Sequence, residues 1–316
     1  MATTLARSVE HRPRPAPAPR RRRRPLWPYL LISPTLLATG YLLLYPLVRN
    51  VVISFQEFRL PQLVRGDARF VGLANYARVL SDPEFWAVVR RTLLFTAINV
   101  VLIMVLSTLV ALLLVRLGRA LRLLVMSGLV LVWATPVIAA TTVFQWLFQS
   151  RLGVVNWALV RLGFEGFRDY AWFADGPATF AILVVLIVWQ SVPFAALSLY
   201  AAMVTVPAEL YEAARIDGAG AWRSFTTITV PVLRAMFGLI TCLEVIWVAK
   251  AFVQIWVISQ GGPGQATTTL PVYAFQVAQS LQRYDLGAAV SMLMVVLLVL
   301  ALLAYLRQLY RQEGES

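Results

Sequence analysis

TLLFTAINVVLIMVLSTLVALLLV, Thr92 to Val115, runs for 24 residues without a charge. As an α-helix it reaches roughly 36 Å, more than the ~30 Å hydrocarbon thickness of a bilayer. Working outward, comparable runs occupy Leu26 to Val48, Leu123 to Ser150, Gly176 to Ala208 and Leu286 to Leu306, and Ala235 to Ile258 is interrupted only by Glu244 and Lys250. The pattern predicts an all-α, polytopic membrane helix bundle of about six transmembrane helices. Composition agrees: 59% of the chain is hydrophobic and 14% charged, and the mean hydropathy is +0.72, whereas soluble domains are roughly 45–50% apolar.

The first run follows a basic segment, the arrangement of a signal peptide. It is too long for one, however, and no small-residue cleavage site follows Tyr45-Pro46, so an uncleaved anchor is expected. Residues 1–25, with alternating prolines and the run Arg20 to Arg24, lack the apolar content to fold and read as a disordered cytoplasmic tail. The membrane domain is then 26–306, with a second cytoplasmic tail over 307–316.

The formal charge is +13, but eight of the 28 basic residues lie in the first 24 positions. The charge is therefore a feature of tails and short connections, and a nucleic-acid partner is not expected; the surroundings are membrane lipid. With the Arg-rich tail inside, the inside segments 1–25, 116–122, 205–234 and 307–316 hold 16 basic residues and the outside segments ten. The positive-inside rule thus places both termini in the cytoplasm. Arginine outnumbers lysine 27 to one, a usage that suggests GC-rich bacterial coding and hence a bacterial inner membrane.

Catalysis has little to work with. Cys242 and His11 are the only residues of their types, which removes His-based triads and His/Cys metal clusters, so no enzyme, cofactor or metal is expected. A phosphate-binding P-loop needs Gly-Lys-Ser/Thr, but the single lysine, Lys250, stands between Ala249 and Ala251. ATP, if used, is bound by another chain.

The inside segment Thr205 to Arg234 reads TVPAELYEAARIDGAGAWRSFTTITVPVLR. Pro207 suits a helix start, Ala208 to Ile216 are helix formers with Glu209 and Glu212 near the positive end, and Asp217-Gly218 supplies a stop with a left-handed glycine. A second helical piece, Trp222 to Ile228, is expected to close at Pro231. Two short helices at a glycine elbow make a shape that a partner can grip. An interfacial amphipathic connector has the same local chemistry, and the residues alone leave the two readings level.

Glu212-Ala213-Ala214, three residues, Gly218, nine residues, Ile228 and then Pro231 resemble the EAA signature of bacterial ABC importer permeases, with Val230 in place of the usual leucine. Further matches run from about residue 30 to 300 and are similar to the binding-protein-dependent sugar permeases of the maltose and glycerol-phosphate type. Phe70-Val71-Gly72-Leu73, Asn75-Tyr76, Asp82 and Phe85-Trp86 match one stretch. Gly153 and Asn156 match another; Gly261-Gly262-Pro263 with Thr267 to Thr269 resembles the GGP...T segment of the first member of the permease pair; and Leu286-Gly287-Ala288-Ala289 continues it. Phe252-Val253-Gln254-Ile255 departs from the usual F-D-x-I.

The resemblance implies a type I ABC importer permease that pairs with a second homologous, MalG-like permease, two cytoplasmic ATP-binding subunits and an extracytoplasmic solute-binding protein. A carbohydrate or related small solute is the implied cargo. It also implies that Glu212, Ala213, Ala214, Asp217, Gly218, Ile228 and Pro231 couple the chain to the ATPase, and that Gly261, Gly262 and Pro263 form an external gate or docking point; a plain tight turn is the other reading of the last three.

Sugar sites combine aromatic faces with amides and carboxylates, so Trp189, Gln190, Glu244, Trp247, Gln254 and Gln276 are the candidates for the solute path. Interfacial tryptophans and interhelical glutamines have the same composition. Glu244 stands out, because an ionisable group within a span usually faces a wet cavity or the bundle interior. Lys250, six positions on, lies on a different helical face and can snorkel outward. An ion-coupled secondary transporter using Glu244 is the alternative; the absence of visible internal repeats and the EAA spacing count against it.

Overall fold

The computed structural model describes residues 27–314; the tail expected over 1–25 lies outside them. The chain divides into two compact units at the Val48–Arg49 junction. The first carries most of α1 (Tyr29–Ser54), an apolar helix long enough to cross a membrane. In the second, a two-stranded antiparallel hairpin of β1 (Gln56–Glu57) and β2 (Arg69–Phe70) encloses α2 (Leu60–Arg65) and leads into α3 (Ala74–Leu80). Asn75 is buried and clamps this segment, its Nδ2 donating to the carbonyls of Ser54 (3.0 Å) and Gln56 (2.8 Å), while Tyr76 Oη and Ser54 Oγ meet at 2.7 Å.

The next helix, α4 (Pro83–Arg116), starts nine residues before the run at Thr92. Asp82 explains the start: its carboxylate accepts the Glu84 N–H at 2.9 Å, and Pro83 fills the first helical position, where no amide is needed. The uncharged window measures the bilayer, but this cap sets the helix boundary.

The run from Leu123 to Ser150 is not one straight span. It forms α5 (Arg119–Trp133) and α6 (Val137–Leu147), which meet at 96°. Pro136 has no N–H and disfavours helical geometry at the residue before it. Thr135 then redirects its own amide to Val132 O (3.1 Å) and covers the carbonyl it abandons, that of Leu131, with its hydroxyl at 2.9 Å. The Leu131 carbonyl thus keeps a hydrogen bond across the break. Among the described residues five helices pass as spans, and a sixth only when this bent pair is taken as one.

After α7 (Val154–Arg161) comes α8 (Gly176–Met203), capped by Asp175, the axis of the bundle. Phe95 meets Phe180 edge-on at 5.2 Å and Ser107 Oγ donates to Val192 O at 3.2 Å, so α4 and α8 run parallel. The predicted span to Ala208 therefore ends early, and the chain turns through 204–207 into α9 (Ala208–Ile216). Beyond it lie α10 (Ala221–Ser224), a π-turn Phe225–Thr229, and helical residues Val230–Val232.

The fifth span, Arg234–Ser259, consists of α11 (Arg234–Ala249) and α12 (Val253–Ser259), interrupted at Lys250–Phe252. Then follow α13 (Leu270–Phe275) and α14 (Tyr284–Gly314), so that the segment expected as a C-terminal tail from 307 continues the last helix as far as Gly314.

Two buried clusters hold the second unit together. One, with Phe95, Ile103, Leu183, Leu186, Leu199, Ile240 and Ile255, lies along α4, α8, α11 and α12. The other joins Phe85 and Val88 to Leu270, Ala289 and Val290. Gly287 lets α14 close on α13 and the turn after it, since a Cβ there would lie 2.8 Å from Ala274 O; small residues permit such approach where lipid supplies no hydrophobic drive between helices.

Replacing Asn75 by Ala leaves two backbone carbonyls without their donor, a loss of about 1–3 kcal/mol. Thermal unfolding in detergent should show a clearly lower midpoint for Asn75→Ala, and also for Asn75→Asp, which keeps the shape but cannot donate. An unchanged midpoint in both would remove the clamp from this account.

Candidate functional site

The segment after α8 folds as a fastened elbow. Gly218 has φ of +74°, its N–H reaches Arg215 O at 3.1 Å, and the Ala219 N–H reaches back to Ala214 O at 2.8 Å. These two bonds form a Schellman stop, which needs a left-handed residue at this position. The helix Ala208 to Ile216 and its stop at Asp217-Gly218 thus agree with the reading of the sequence. Tyr211 Oη and Thr229 Oγ1 meet at 2.9 Å and tie the two arms together.

Pro231 does not close the second arm. It lies inside Val230–Val232, after a π-turn in which Thr226 and Thr227 hydroxyls donate to the Trp222 and Arg223 carbonyls at 3.1 and 2.7 Å. The π-turn widens the backbone just before the proline, with the Val230 N–H reaching Phe225 O, and the arm ends at Leu233 instead. Glu212, Ala213, Asp217 and Gly218 are exposed, and Ala214 and Ile228 are half-buried. Ile216 is 87% exposed and Trp222 76%, so the elbow presents two large apolar side chains beside its acidic ones.

A second site lies within the bundle. Where α5 ends at Trp133 and α11 ends at Ala249, the two helix breaks face the middle of α8 and leave a cavity of about 330 Å³. Gln190, Trp247 and Gln254 line it, and Gln254 Nε2 donates to Gln190 Oε1 at 3.2 Å. Trp133, Thr135 and Ser191 join them. Phe194 links the two tryptophans, stacking on Trp133 at 6.3 Å and meeting Trp247 edge-on at 5.6 Å. None of the lining side chains carries a charge.

Three of the six path candidates are therefore together, and three are elsewhere. Trp189 faces away, packing on Phe144 at 5.7 Å and lining a separate apolar groove. Gln276 donates to Gln260 O at 2.8 Å, in the loop after α12. Glu244 is one turn before Trp247, fully buried; the Ser191 hydroxyl faces it, and neither carboxylate oxygen has a hydrogen bond of normal geometry among the described residues. Lys250 is exposed and makes no ion pair with Glu244. Trp133, Thr135 and Phe194 were not singled out from the sequence; the Thr-Pro pair in the middle of an apolar run was the available signal.

The GGP loop is pinned to α4. Thr267 Oγ1 donates to Gly262 O at 2.8 Å, Thr268 Oγ1 to Gly261 O at 3.0 Å, Arg91 to Thr268 O at 3.0 Å, and the Leu270 N–H to Thr92 Oγ1 at 2.9 Å. Gly261 has φ of +91°, and a side chain there would collide with Thr268. Gly153 and Asn156 are likewise structural: a Cβ at Gly153 would strike the backbone of Leu147 and Gln149, and Asn156 Nδ2 donates to Ser150 O and Tyr170 O at 2.8 and 3.0 Å.

Comparison with known proteins places this geometry. The model for the binding-protein-dependent transport system inner membrane component matches residues 103–312. The diacetylchitobiose uptake system permease protein DasB of Streptomyces coelicolor is 49% identical, over 92% of this chain and 89% of its own. The trehalose/maltose transport system permease protein MalF of Thermococcus litoralis is 34% identical, over 88% of this chain and 92% of its own. In fold, the chain resembles one from the crystal structure of a bacterial ABC transporter involved in the import of the acidic polysaccharide alginate, with a TM-score of 0.77 at 18% identity over 90% of this chain and 96% of that one. The chain belongs to the family of inner-membrane components of binding-protein-dependent transport systems, and is a multi-pass permease subunit of an ABC importer.

Proposed function

We propose that this permease carries a neutral di- or oligosaccharide through the cavity between α5, α8 and α11. The observation that carries this reading is the lining: two tryptophans bridged by Phe194, a hydrogen-bonded glutamine pair, and no charge. Aromatic faces suit the apolar C–H faces of a sugar, and amides both donate to and accept from its hydroxyls. A phosphorylated or acidic solute finds no cation there. The names of the relatives, diacetylchitobiose and trehalose/maltose permeases, support the same class and make diacetylchitobiose the first solute to try.

Within this reading, a solute-binding protein delivers the sugar outside, and the chain works beside a second, MalG-like permease and two ATP-binding subunits. ATP stays with those subunits. The elbow of α9 and α10 is the handle they grip, through Glu212 and Asp217 and the exposed Ile216 and Trp222, with Gly218 setting its angle and Tyr211–Thr229 transmitting force between its arms. Basic residues in the connection between α4 and α5 and in the elbow support a cytoplasmic face for both. The pinned GGP loop serves as a rigid outer rim beside the solute's entry.

Gly218→Val meets no neighbour within 4 Å but must adopt a left-handed backbone, at roughly 1–2 kcal/mol. In the reconstituted complex it should lower both uptake and binding-protein-stimulated ATPase; if both remained intact, the elbow would not be the coupling element. For the cavity, Trp133→Ala with Trp247→Ala should cut uptake of diacetylchitobiose roughly tenfold, from two aromatic contacts of about 0.5–1.5 kcal/mol each, while stimulated ATPase persists. Unaltered uptake would place the path elsewhere.

A further inference from the structure

Arg116, Arg119 and Arg122 crowd the turn between α4 and α5, and from Phe85 to Phe164 the sequence contains no Asp or Glu. Arg122 is built into the fold. Its Nη1 donates to Tyr200 Oη at 3.1 Å and its Nη2 to Leu117 O at 2.7 Å, with the guanidinium 5.9 Å from the Tyr200 ring centre. Its buried Nε has no acceptor among the described residues. Arg116 and Arg119 are exposed and make no ion pair among those residues.

Along the same helices, toward their middles, lies an apolar groove of about 480 Å³ walled by Leu102, Leu106 and Val110 of α4, Leu129 of α5, and Val185 and Val188 of α8. Val110 precedes Arg116 by six residues, about 9 Å along a helix, and Leu129 follows Arg122 by seven, about 10 Å. A cluster of cations thus stands at the end of an apolar slot. A phospholipid has the matching order of parts: an anionic phosphate, then an acyl chain starting several ångströms away.

We propose that this face binds one anionic phospholipid, with its phosphate among the Arg116, Arg119 and Arg122 guanidinium groups and an acyl chain in the groove. Because α4 and α8 run parallel, the arginines lie on the same side of the bundle as the elbow that follows α8, so the lipid belongs to that leaflet. Basic pockets between spans are known to hold acidic headgroups in this way. The site has a route to transport, because Val132 lines both the groove and the solute cavity. An acyl chain in the groove braces α5 against α8 from behind the cavity wall.

The test is native mass spectrometry of the purified transporter complex in detergent, offered phosphatidylglycerol or phosphatidylcholine. The wild type should retain phosphatidylglycerol preferentially, and Arg116→Gln with Arg119→Gln should reduce that retention roughly fivefold per arginine removed. Arg116→Lys with Arg119→Lys should preserve much of it, and Leu106→Trp, which fills the groove and leaves the charges alone, should lose it in a complex that still assembles. Equal retention of the two lipids by the wild type, or retention indifferent to the Gln pair, overturns the proposal. So does efficient crosslinking of Val185→Cys to another subunit, since a protein helix would then occupy the groove.

Discussion

Every backbone amide and carbonyl placed in hydrocarbon must find its hydrogen bond within the protein, because no water is there to supply one. This constraint organises the whole molecule. Most of the chain meets it by remaining helical, and side chains cover some of the backbone groups freed where the helices break. At Ala134–Pro136 the Thr135 hydroxyl covers the Leu131 carbonyl. Near the end of α12, Gln145 Nε2 donates to Val257 O at 2.6 Å.

The departures also build the site proposed for the solute. The breaks after Trp133 and after Ala249 both open onto the same cavity, which turns two interruptions of regular structure into a polar and aromatic pocket in an otherwise apolar bundle. Irregular backbone at membrane depth is tolerated where it lines such a space. α8, unbroken from Gly176 to Met203, presents Gln190 and Ser191 to the cavity on one side and Val185 and Val188 to the apolar groove on another. At its end it passes directly into the elbow. The proposed pocket and handle are therefore joined by one helix and a four-residue turn, and in the proposed mechanism this link couples ATPase closure to solute passage.

Much of this was legible in the sequence where a local rule decides the outcome. Uncharged length identifies the spans, and the order Pro207, Ala208 to Ile216, Asp217-Gly218 gives the first arm of the elbow nearly residue by residue, because its stop depends on one left-handed glycine. Long-range geometry was less legible. Apolarity alone does not reveal that Leu123 to Ser150 turns by 96°, although Pro136 marks the place. Nor does composition distinguish Trp189, which faces the groove, from Gln190, which faces the cavity; one residue is about a 100° rotation on a helix. Pro231 illustrates the opposite error, a helix breaker absorbed by a π-turn. Several motif residues serve the backbone: Asn75, Asn156, Thr267 and Thr268 donate to main-chain carbonyls, and Gly153 leaves room for the main chain of Leu147 and Gln149.

The central claim is that an ATPase in other chains drives a neutral sugar through this permease. It is tested most directly by sugar accumulation in proteoliposomes containing the complex, with ATP inside and the binding protein and labelled diacetylchitobiose outside. The account predicts accumulation that requires both ATP and the binding protein and is insensitive to collapse of the proton gradient. Accumulation that continues without ATP and disappears with the proton gradient would contradict it, and would return Glu244 to the centre of an ion-coupled mechanism.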